Sequence, residues 1–199
     1  MLASVVLMAG HSRRMGTLKQ HVFIDGKSFL SHIIDKLEFF SLSISTKIFV
    51  GQESDIQGQE QVKKCGGIWI SNFNPDEGTL SSIRLAVEKT PKNSSIMIWP
   101  TDHPLIEKDT LASLIQTWES NKDYIILPSD GTHRGHPAIF PNWILKYFNS
   151  IDINKGAKVL LNMFTDKIKY VLTNDIWITR NINTPELLQD AKDILAKKQ

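Results

Sequence analysis

The segment from Gly10 to Lys19 has the composition of a loop that binds a phosphate-rich anion. It contains two glycines, the hydroxyl side chains of Ser12 and Thr17, and three cations, and no acidic residue precedes Asp25. Glycines let a backbone fold tightly, so that its N–H groups can meet a ligand. Guanidinium and ammonium groups pair strongly with phosphate oxygens. We therefore expect a phosphate-rich ligand to bind here; the alternative is an exposed loop whose charges only aid solubility.

A carboxylate follows another predicted strand. Asp102 comes shortly after the apolar run Ser95–Trp99 and is followed by His103. Magnesium prefers one or two carboxylates and takes its remaining ligands from phosphate oxygens and water. Asp102 is therefore the best candidate for a magnesium ligand, and His103 is expected to form a wall of the same site. The alternative is a turn, because aspartate and proline are common turn residues.

Two further segments combine glycine with polar side chains at the edges of predicted elements. Gly78 precedes a helix whose first turns hold Ser81 and Ser82, and the free N–H groups of a helix start can meet a base or a phosphate. The segment Gly131–His136, which includes Arg134, could receive an anionic acceptor. Either segment could instead be local structure, with serines satisfied at the helix start and a turn before a strand.

Short β-branched runs alternate along the chain with longer amphipathic stretches, which predicts an α/β fold. Several runs are apolar on both faces, as expected for strands buried between two helical layers. We therefore expect a mostly parallel sheet flanked by helices on both sides, with ligands beyond the carboxyl ends of its strands. The predicted strands are Ala3–Met8, Lys47–Val50, Gly67–Ile70, Ser95–Trp99, Tyr124–Leu127, Ala138–Phe140, Lys169–Leu172 and Trp177–Thr179.

Two predicted helices have recognisable starts. Asp109 is expected to cap a helix whose apolar residues lie on one face. Thr184 is expected to cap the last helix, with Pro185 in its first turn. The apolar residues expected to face inward from this last helix are Leu187, Leu188, Ala191, Ile194 and Leu195.

Length, charge and cysteine content exclude several classes of protein. The 199 residues contain 23 Lys and Arg against 21 Asp and Glu, a formal net charge of +2, and we expect one domain over residues 1–199. This balance argues against a nucleic-acid or membrane-surface binder. The single cysteine, Cys65, excludes an internal disulfide and a multi-cysteine zinc site. The first apolar run is too short for a secretion signal or a membrane span, so we expect a soluble cytoplasmic protein.

The segment Leu7–Lys19 resembles the signature Leu-Ala-Ala/Gly-Gly-x-Ser-x-Arg-Met-Gly-x-x-Lys of the MobA-like nucleotidyltransferases, which include the molybdenum cofactor guanylyl- and cytidylyltransferases. The resemblance implies a three-layer, Rossmann-like fold of the nucleotide-diphospho-sugar transferase type. It extends over nearly the whole chain, and the Gly-His-Pro segment is most similar to the cytidylyltransferase branch. The other matching segments are Asn74–Arg84, Asp102–Leu105, Arg134–Phe140, Asp152–Leu161 and Asn181–Leu187.

The resemblance also implies roles for individual residues. Those implied to bind the nucleotide are Leu7, Met8, Ala9, Gly10, Ser12, Arg14, Lys19, Gly78, Ser81 and Ser82. Those implied to bind the acceptor are His103, Arg134, Gly135 and His136, and those implied to hold Mg²⁺ are Asp102, Asn181 and Asn183. Arg14, Lys19 and Asp102 are the implied catalytic residues, with Arg14 and Lys19 gripping the triphosphate.

Four positions depart from the family pattern. Met8 stands where the family usually has alanine, a change that we expect to matter little. Asn154 and Lys158 replace an aspartate and an arginine, so acceptor contacts from those two positions are in doubt. Asn181 replaces the aspartate of the cytidylyl branch. Because an amide oxygen brings no negative charge, we expect looser metal binding than a second carboxylate would give.

The implied reaction is the transfer of a nucleotidyl group from a nucleoside triphosphate to a phosphorylated acceptor, with release of pyrophosphate. A phosphate monoester is largely ionised at pH 7, so no strong general base is needed. Guanylyl members have glycine where this chain has Ala9, and the added methyl should crowd guanine, which favours CTP. The resemblance implies molybdopterin or its metal-loaded form as the acceptor and allows a transient molybdoenzyme partner. The alternatives are a sugar or alcohol phosphate acceptor, and a non-catalytic cofactor-binding or chaperone module.

Overall fold

The computed structural model describes residues 1–152 and 156–197, so the predicted acceptor position Asn154 lies outside the described residues. A seven-stranded sheet has the strand order β5-β4-β1-β6-β8-β7-β9, and a small antiparallel hairpin, β2-β3, stands apart from it. The strands are β1 (Leu2–Leu7), β2 (Phe23–Ile24), β3 (Lys27–Ser28), β4 (Ile44–Gly51), β5 (Ile68–Ser71), β6 (Ser95–Pro100), β7 (Ile125–Ser129), β8 (Ala138–Phe140) and β9 (Ile168–Leu172).

Six α-helices lie between and after these strands. They are α1 (Phe29–Phe39), α2 (Ile56–Lys64), α3 (Thr79–Lys89), α4 (Lys108–Ser120), α5 (Lys158–Met163) and α6 (Pro185–Ala196). Shorter 3-10 helices include Lys19–His21, Pro75–Glu77, Asn142–Asn149 and Ile176–Ile178. Within the described ranges, no helix combines the length and apolar character that crossing a membrane requires.

The sheet is mostly parallel, as the alternation of strands and helices predicts. Strand β1 lies at its centre and pairs in parallel with β4 and β6. Strand β8 alone among the seven runs antiparallel to its neighbours in the described sheet, β6 and β7. The carboxyl ends of the parallel strands therefore meet at one edge of the sheet, and the amino end of β8 lies at that same edge. The loops after β1, β5, β6 and β7 all emerge there.

Side chains alternate along the strands and pack into two cores, one on each face of the sheet. Val6 belongs to the core under α1, α2, α4 and α6, whereas its neighbours Val5 and Leu7 belong to the core under α3, α5 and the 3-10 helix Asn142–Asn149. The largest fully buried side chains include Trp99, Phe29, Phe49 and Phe148. The three-layer architecture implied by the sequence is thus confirmed.

The predicted strand Trp177–Thr179 is wrong. Trp177 and Ile178 lie in the 3-10 helix Ile176–Ile178, and Thr179 follows its end. The start of this helix is fixed because the Asp175 carboxylate accepts a hydrogen bond from the Trp177 N–H at 2.9 Å. Trp177 and Ile178 are buried. Their apolar character, which resembles a strand in the sequence, instead fills the core beneath the helix.

The predicted cap of α4 is also wrong. The helix begins at Lys108, after Glu107, and Asp109 lies exposed in its first turn. The capping carboxylate comes from Asp175, which accepts hydrogen bonds from the Glu107 N–H at 2.8 Å and from the Thr110 hydroxyl at 3.0 Å. A residue distant in the sequence thus replaces the local cap.

The predicted start of α6 is correct, and its inward face is correct in part. The Thr184 hydroxyl accepts a hydrogen bond from the Leu187 N–H at 3.3 Å, and Pro185 occupies the first helical position. Ala191 is buried, but Leu187 remains 40% exposed. The apolar face therefore begins later along the helix than the sequence pattern suggests.

Candidate active site

A cavity of about 920 Å³ opens at the carboxyl edge of the sheet. It collects most of the residues that the sequence implicates, although their segments are widely separated along the chain. Those that line it are Leu7, Met8, Ala9, Gly10, Ser12, Lys19, Gly78, Ser82, Asp102, His103, Arg134, Gly135, His136 and Asn181. Arg14, Ser81 and Asn183 are not part of this lining.

The loop after β1 is held by contacts that start at the strand itself. The Met8 N–H donates to the Val50 carbonyl at 2.9 Å, and the side-chain amide of Gln52 donates to the Ala9 carbonyl at 3.1 Å. Ser12 has a φ of 52°, and its hydroxyl accepts a hydrogen bond from the Lys19 N–H at 3.1 Å. Ser12 therefore closes the loop and sets the position at which Lys19 leaves it.

Lys19 is directed into the site by its two polar contacts. Its ammonium group lies 3.3 Å from the Asp102 carboxylate and also donates a hydrogen bond to the side-chain oxygen of Asn183. The side chains of Lys19 and Asp102 are each only 18% exposed. A partly buried ion pair of this kind is held more firmly than one on the open surface.

The loop after β6 is fixed on several sides. The Thr101 N–H donates to the Leu7 carbonyl at 3.0 Å, and the Ile182 N–H donates to the Asp102 carbonyl at 2.8 Å. The Trp99 indole donates to the His103 carbonyl at 2.9 Å. These bonds bring the segment Asn181–Asn183 against Asp102, which explains why both segments reach the same cavity.

A partly buried lysine of α1 supports the same loop. The Lys36 ammonium group donates to the Pro104 carbonyl at 3.0 Å and to the His32 carbonyl at 3.1 Å. Burial lowers the pKa of Lys36 to about 8. The loop that carries Asp102 is thus anchored to α1 by a side chain that no sequence motif indicated.

The oxygen donors around Lys19 fit a cation. The Asp102 carboxylate and the Asn183 amide oxygen both contact one ammonium group, so they converge on a single positive charge. Asn181 lies along the same cavity. One carboxylate with amide oxygens matches the ligands of a magnesium ion that takes phosphate and water oxygens as well. The described residues contain no cluster of three or more His, Cys, Asp or Glu that could hold a metal alone.

The second arginine of the loop does not reach this site in the structure. Arg14 is exposed and lies outside the cavity lining. Two nearby side chains of the same loop contact Asp76 instead. The His11 imidazole lies 3.0 Å from the Asp76 carboxylate, and the Arg13 guanidinium lies 3.7 Å from it. These contacts join the loop after β1 to the 3-10 helix after β5.

The segment Gly131–His136 is positioned by contacts with β7 and with the loop after β9. The Gly135 N–H donates to the Pro128 carbonyl at 2.8 Å, and the His136 N–H donates to the Ile178 carbonyl at 2.8 Å. A Cβ atom at Gly135 would lie 2.6 Å from both the Cβ and the carbonyl oxygen of Ile178. Only glycine therefore allows this approach without moving the backbone.

Two histidines form one wall of the cavity. The rings of His103 and His136 have centroids 4.9 Å apart, and the Nδ1 atom of His103 lies 3.1 Å from the Trp177 carbonyl oxygen. Burial, together with the neighbouring His103, lowers the pKa of His136 to about 4, although Asp102 opposes the shift. At neutral pH His136 therefore offers a neutral imidazole and no positive charge.

The cavity also has an apolar floor that the motif analysis missed. Side chains from the strand ends and from α3 and α5 form it: Ile83, Ile98, Leu127, Ala138, Phe140 and Leu161. Lys158, which the sequence placed at a family arginine position, lines the rim of this part together with Arg134. The sequence did contain a signal for this apolar floor. Side chains alternate along a strand, so every second residue near the carboxyl end of a predicted strand faces the same side of the sheet.

Comparison with known proteins agrees with this architecture. Residues 4–168 match the model of the MobA-like NTP transferase domain. A molybdenum cofactor guanylyltransferase of Rhizobium meliloti (strain 1021) is 26% identical over 202 residues, which span 95% of this chain and 89% of that protein.

Two solved structures share the fold along almost their full length. The molybdopterin-guanine dinucleotide biosynthesis protein A of Archaeoglobus fulgidus has a TM-score of 0.72 and 20% identity, over 99% of this chain and 100% of that one. The manganese complex of Rv0371C from Mycobacterium tuberculosis H37Rv has a TM-score of 0.74 and 16% identity, over 96% of this chain and 98% of that one. With its sheet order, its cavity and the matched domain together, the chain belongs to the MobA-like NTP transferase family and is a nucleotidyltransferase.

Proposed function

We propose that this chain is a Mg²⁺-dependent cytidylyltransferase that transfers a cytidylyl group from CTP to the phosphate of a pterin-type acceptor, molybdopterin, and releases pyrophosphate. One observation carries the proposal: Lys19, Asp102, Arg134 and His136 all line a single cavity. A nucleotide and an acceptor phosphate bound in that cavity would lie side by side, which is the alignment that the transfer needs.

Lys19 is the group that would neutralise charge on the departing pyrophosphate. Its ammonium group is paired with Asp102 at 3.3 Å. In the presence of a nucleotide, we expect the ammonium group to exchange this carboxylate for phosphate oxygens, which carry more negative charge. Positioned cations of this kind stabilise developing charge during phosphoryl-type transfer. Arg14, which is exposed, would have to turn toward the triphosphate to assist, and its role stays a prediction.

Asp102, Asn183 and Asn181 are the residues that would hold magnesium. The first two converge on the Lys19 ammonium group, which marks where a cation is stable. When bound, magnesium supplies Lewis-acid neutralisation of the phosphate oxygens. The chain's own contribution is to fix Asp102 at the end of β6 through the hydrogen bonds to its flanking backbone.

The part of the cavity that Arg134 and Lys158 line suits a flat ring that carries an anionic group. Its floor is apolar, and Arg134 and Lys158 stand at its rim. Because the lowered pKa keeps His136 neutral at pH 7, the positive charge that meets the acceptor phosphate comes from the rim cations. His136 would offer a hydrogen bond without attracting a second anion.

The preference for CTP rests on Ala9. It lines the cavity, and its methyl group stands where guanylyl members of the family have glycine. GTP is the second candidate, because the Rhizobium meliloti and Archaeoglobus fulgidus proteins are both named for guanine. Calorimetric titration with CTP, GTP and ATP in the presence of Mg²⁺ tests the choice. CTP should bind at least about tenfold more tightly, and tighter binding of GTP would reverse the assignment.

Pyrophosphate release measured with CTP, Mg²⁺ and purified molybdopterin tests the reaction itself. Release that requires both substrates supports the proposal. Release with a sugar or alcohol phosphate in place of molybdopterin would leave the chemistry intact and change the acceptor. Tight binding of molybdopterin without any release would favour the non-catalytic alternative. A cytoplasmic location and a transient molybdoenzyme partner stay predictions from the sequence.

A further inference from the structure

A buried asparagine connects the loop after β5 with the first turns of α3. Asn72 is 4% exposed, and its side-chain oxygen accepts a hydrogen bond from the Asn74 N–H at 2.8 Å. Its side-chain nitrogen lies 2.9 Å from the hydroxyl oxygens of both Ser81 and Ser82. Asn72 therefore contacts the two serines that the sequence implicated in nucleotide binding.

The orientation of the Asn72 amide is fixed by its partners. A backbone N–H can only donate, so the atom that faces the Asn74 N–H has to be the amide oxygen. The NH₂ group then faces the serines and has two hydrogens to donate, one for each hydroxyl oxygen. Both Ser81 and Ser82 must therefore act as acceptors toward Asn72.

The two serines differ in what they do with their own proton. The Ser81 hydroxyl donates to the Gly78 carbonyl at 2.8 Å, and Ser81 does not line the cavity. Ser82 does line the cavity, and no acceptor in the described part of the chain takes its proton. Asn72 occupies one side of the Ser82 oxygen, so the proton of Ser82 remains for a ligand.

We propose that Asn72 is a positioning residue that presets Ser82 as a hydrogen-bond donor toward an acceptor atom of the nucleotide base. The inference rests on the proposed function and deepens it. It states that Ser82 donates the hydrogen bond, so that the base has to present an acceptor atom. Cytosine meets a donor with its O2 and N3 atoms, whereas its exocyclic amino group would place a second donor against the Ser82 proton. Ser81 belongs to the support of the loop and not to the contact.

The test measures nucleotide binding by calorimetry with no acceptor present, using CTP and ribose 5′-triphosphate, each with Mg²⁺. Ser82→Ala removes the donor and should weaken CTP binding about tenfold, the effect of one lost hydrogen bond. Ser113→Ala, at an exposed serine of α4 outside the cavity lining, is the matched control and should change the dissociation constant less than about twofold. Ribose 5′-triphosphate lacks the base, so Ser82→Ala should leave its binding unchanged.

Asn72→Asp tests the positioning role, because it keeps the shape of the side chain and replaces the donating NH₂ group by an accepting oxygen. The Ser82 proton would then turn toward the carboxylate, and CTP binding should weaken about tenfold or more. In the Ser82→Ala background the same replacement should have no further effect. In Asn72→Ala the Ser82 hydroxyl is free to rotate, so CTP binding should weaken less than in Asn72→Asp. This variant replaces Asn72→Asp in the test if the aspartate variant folds poorly.

Three results would overturn the inference. They are wild-type affinity for CTP in Ser82→Ala, an equal loss of affinity for ribose 5′-triphosphate, and an Asn72→Asp effect that persists without the Ser82 hydroxyl. Failure of the proposed function gives a different result: the wild-type chain would not bind CTP, or would bind GTP more tightly than CTP.

Discussion

The ammonium group of Lys19 and the carboxylate of Asp102 form an ion pair at 3.3 Å across 83 positions of the sequence. The same ammonium group contacts the side-chain oxygen of Asn183. The cation of the loop after β1 therefore occupies the place where the oxygen donors after β6 and before α6 converge. A divalent ion that used these oxygens would have to displace Lys19, so nucleotide and metal should depend on each other for binding.

Lys19→Met should strengthen metal binding in the absence of nucleotide. Removing the ammonium group frees the Asp102 and Asn183 oxygens, and a cation bound there no longer competes with a tethered charge. Titration with Mn²⁺, followed by electron paramagnetic resonance, should give a dissociation constant several-fold lower than in the wild type. Lys64→Met, a change at an exposed position of α2, is the control. Weaker Mn²⁺ binding in Lys19→Met would contradict the competition.

The same two residues should be needed for turnover. Lys19→Met and Asp102→Asn should each lower the rate of CTP-dependent pyrophosphate release by at least about 100-fold, the usual effect of losing one positioned charge. Circular dichroism should show that both variants fold, because each change is confined to the cavity wall. Rates near that of the wild type in both variants would refute the roles proposed for them.

Asp175→Ala should lower the free energy of unfolding by about 2 kcal/mol or more. The carboxylate accepts hydrogen bonds from Glu107, Thr110 and Trp177, and its loss removes these bonds, two of which are made by the buried residues Thr110 and Trp177. Urea denaturation measures the change. Asp109→Ala, at the position that the sequence indicated as the cap, should cost less than about 1 kcal/mol. The opposite ranking of the two variants would contradict the capping assignment.

Protonation of His136 should destabilise the fold below neutral pH. Its pKa is lowered from 6.5 to about 4 by burial, so between these values the unfolded chain binds more protons on this imidazole than the native chain. The free energy of unfolding therefore rises with pH across this window, by up to about 1.4 kcal/mol per unit. The stabilisation is present above pH 6.5 and is lost as the pH falls through about 4.

Urea denaturation of wild type and His136→Gln from pH 4 to pH 7 checks this dependence. The variant lacks the titrating group, so its free energy of unfolding should fall less steeply as the pH is lowered. Other groups contribute equally to both proteins and cancel in the difference. Parallel curves for the two proteins would show that His136 does not titrate as expected.

Two glycines of the cavity should respond differently to alanine. At Gly135 a Cβ atom would clash with the Ile178 backbone, whereas at Gly10 the space within 4 Å is empty. Gly135→Ala should therefore lower the free energy of unfolding by about 1–3 kcal/mol and impair acceptor use. Gly10→Ala should leave stability unchanged and weaken nucleotide binding, because the new methyl group projects where a ligand would lie. Thermal denaturation and CTP titration of both variants separate the two effects.

The sequence by itself determined the architecture and about half of the cavity lining. Periodicity placed the strands of the sheet within a few residues, because β-branched runs between turns have few other stable arrangements. Since the carboxyl ends of parallel strands meet at one edge, it also followed that Lys19 and Asp102 would approach each other. The loop motif and the family resemblance supplied the chemistry expected there.

Only the tertiary structure decided which partners those residues have. The cap of α4 comes from Asp175, the support of the Asp102 loop from Lys36, and the orientation of Ser82 from Asn72. Each of these contacts joins segments that no local pattern links, because a hydrogen bond depends on where two elements are packed and not on their distance in the sequence. The strand predicted at Trp177–Thr179 failed for the same reason, since an apolar run can fill a core equally well as a 3-10 helix.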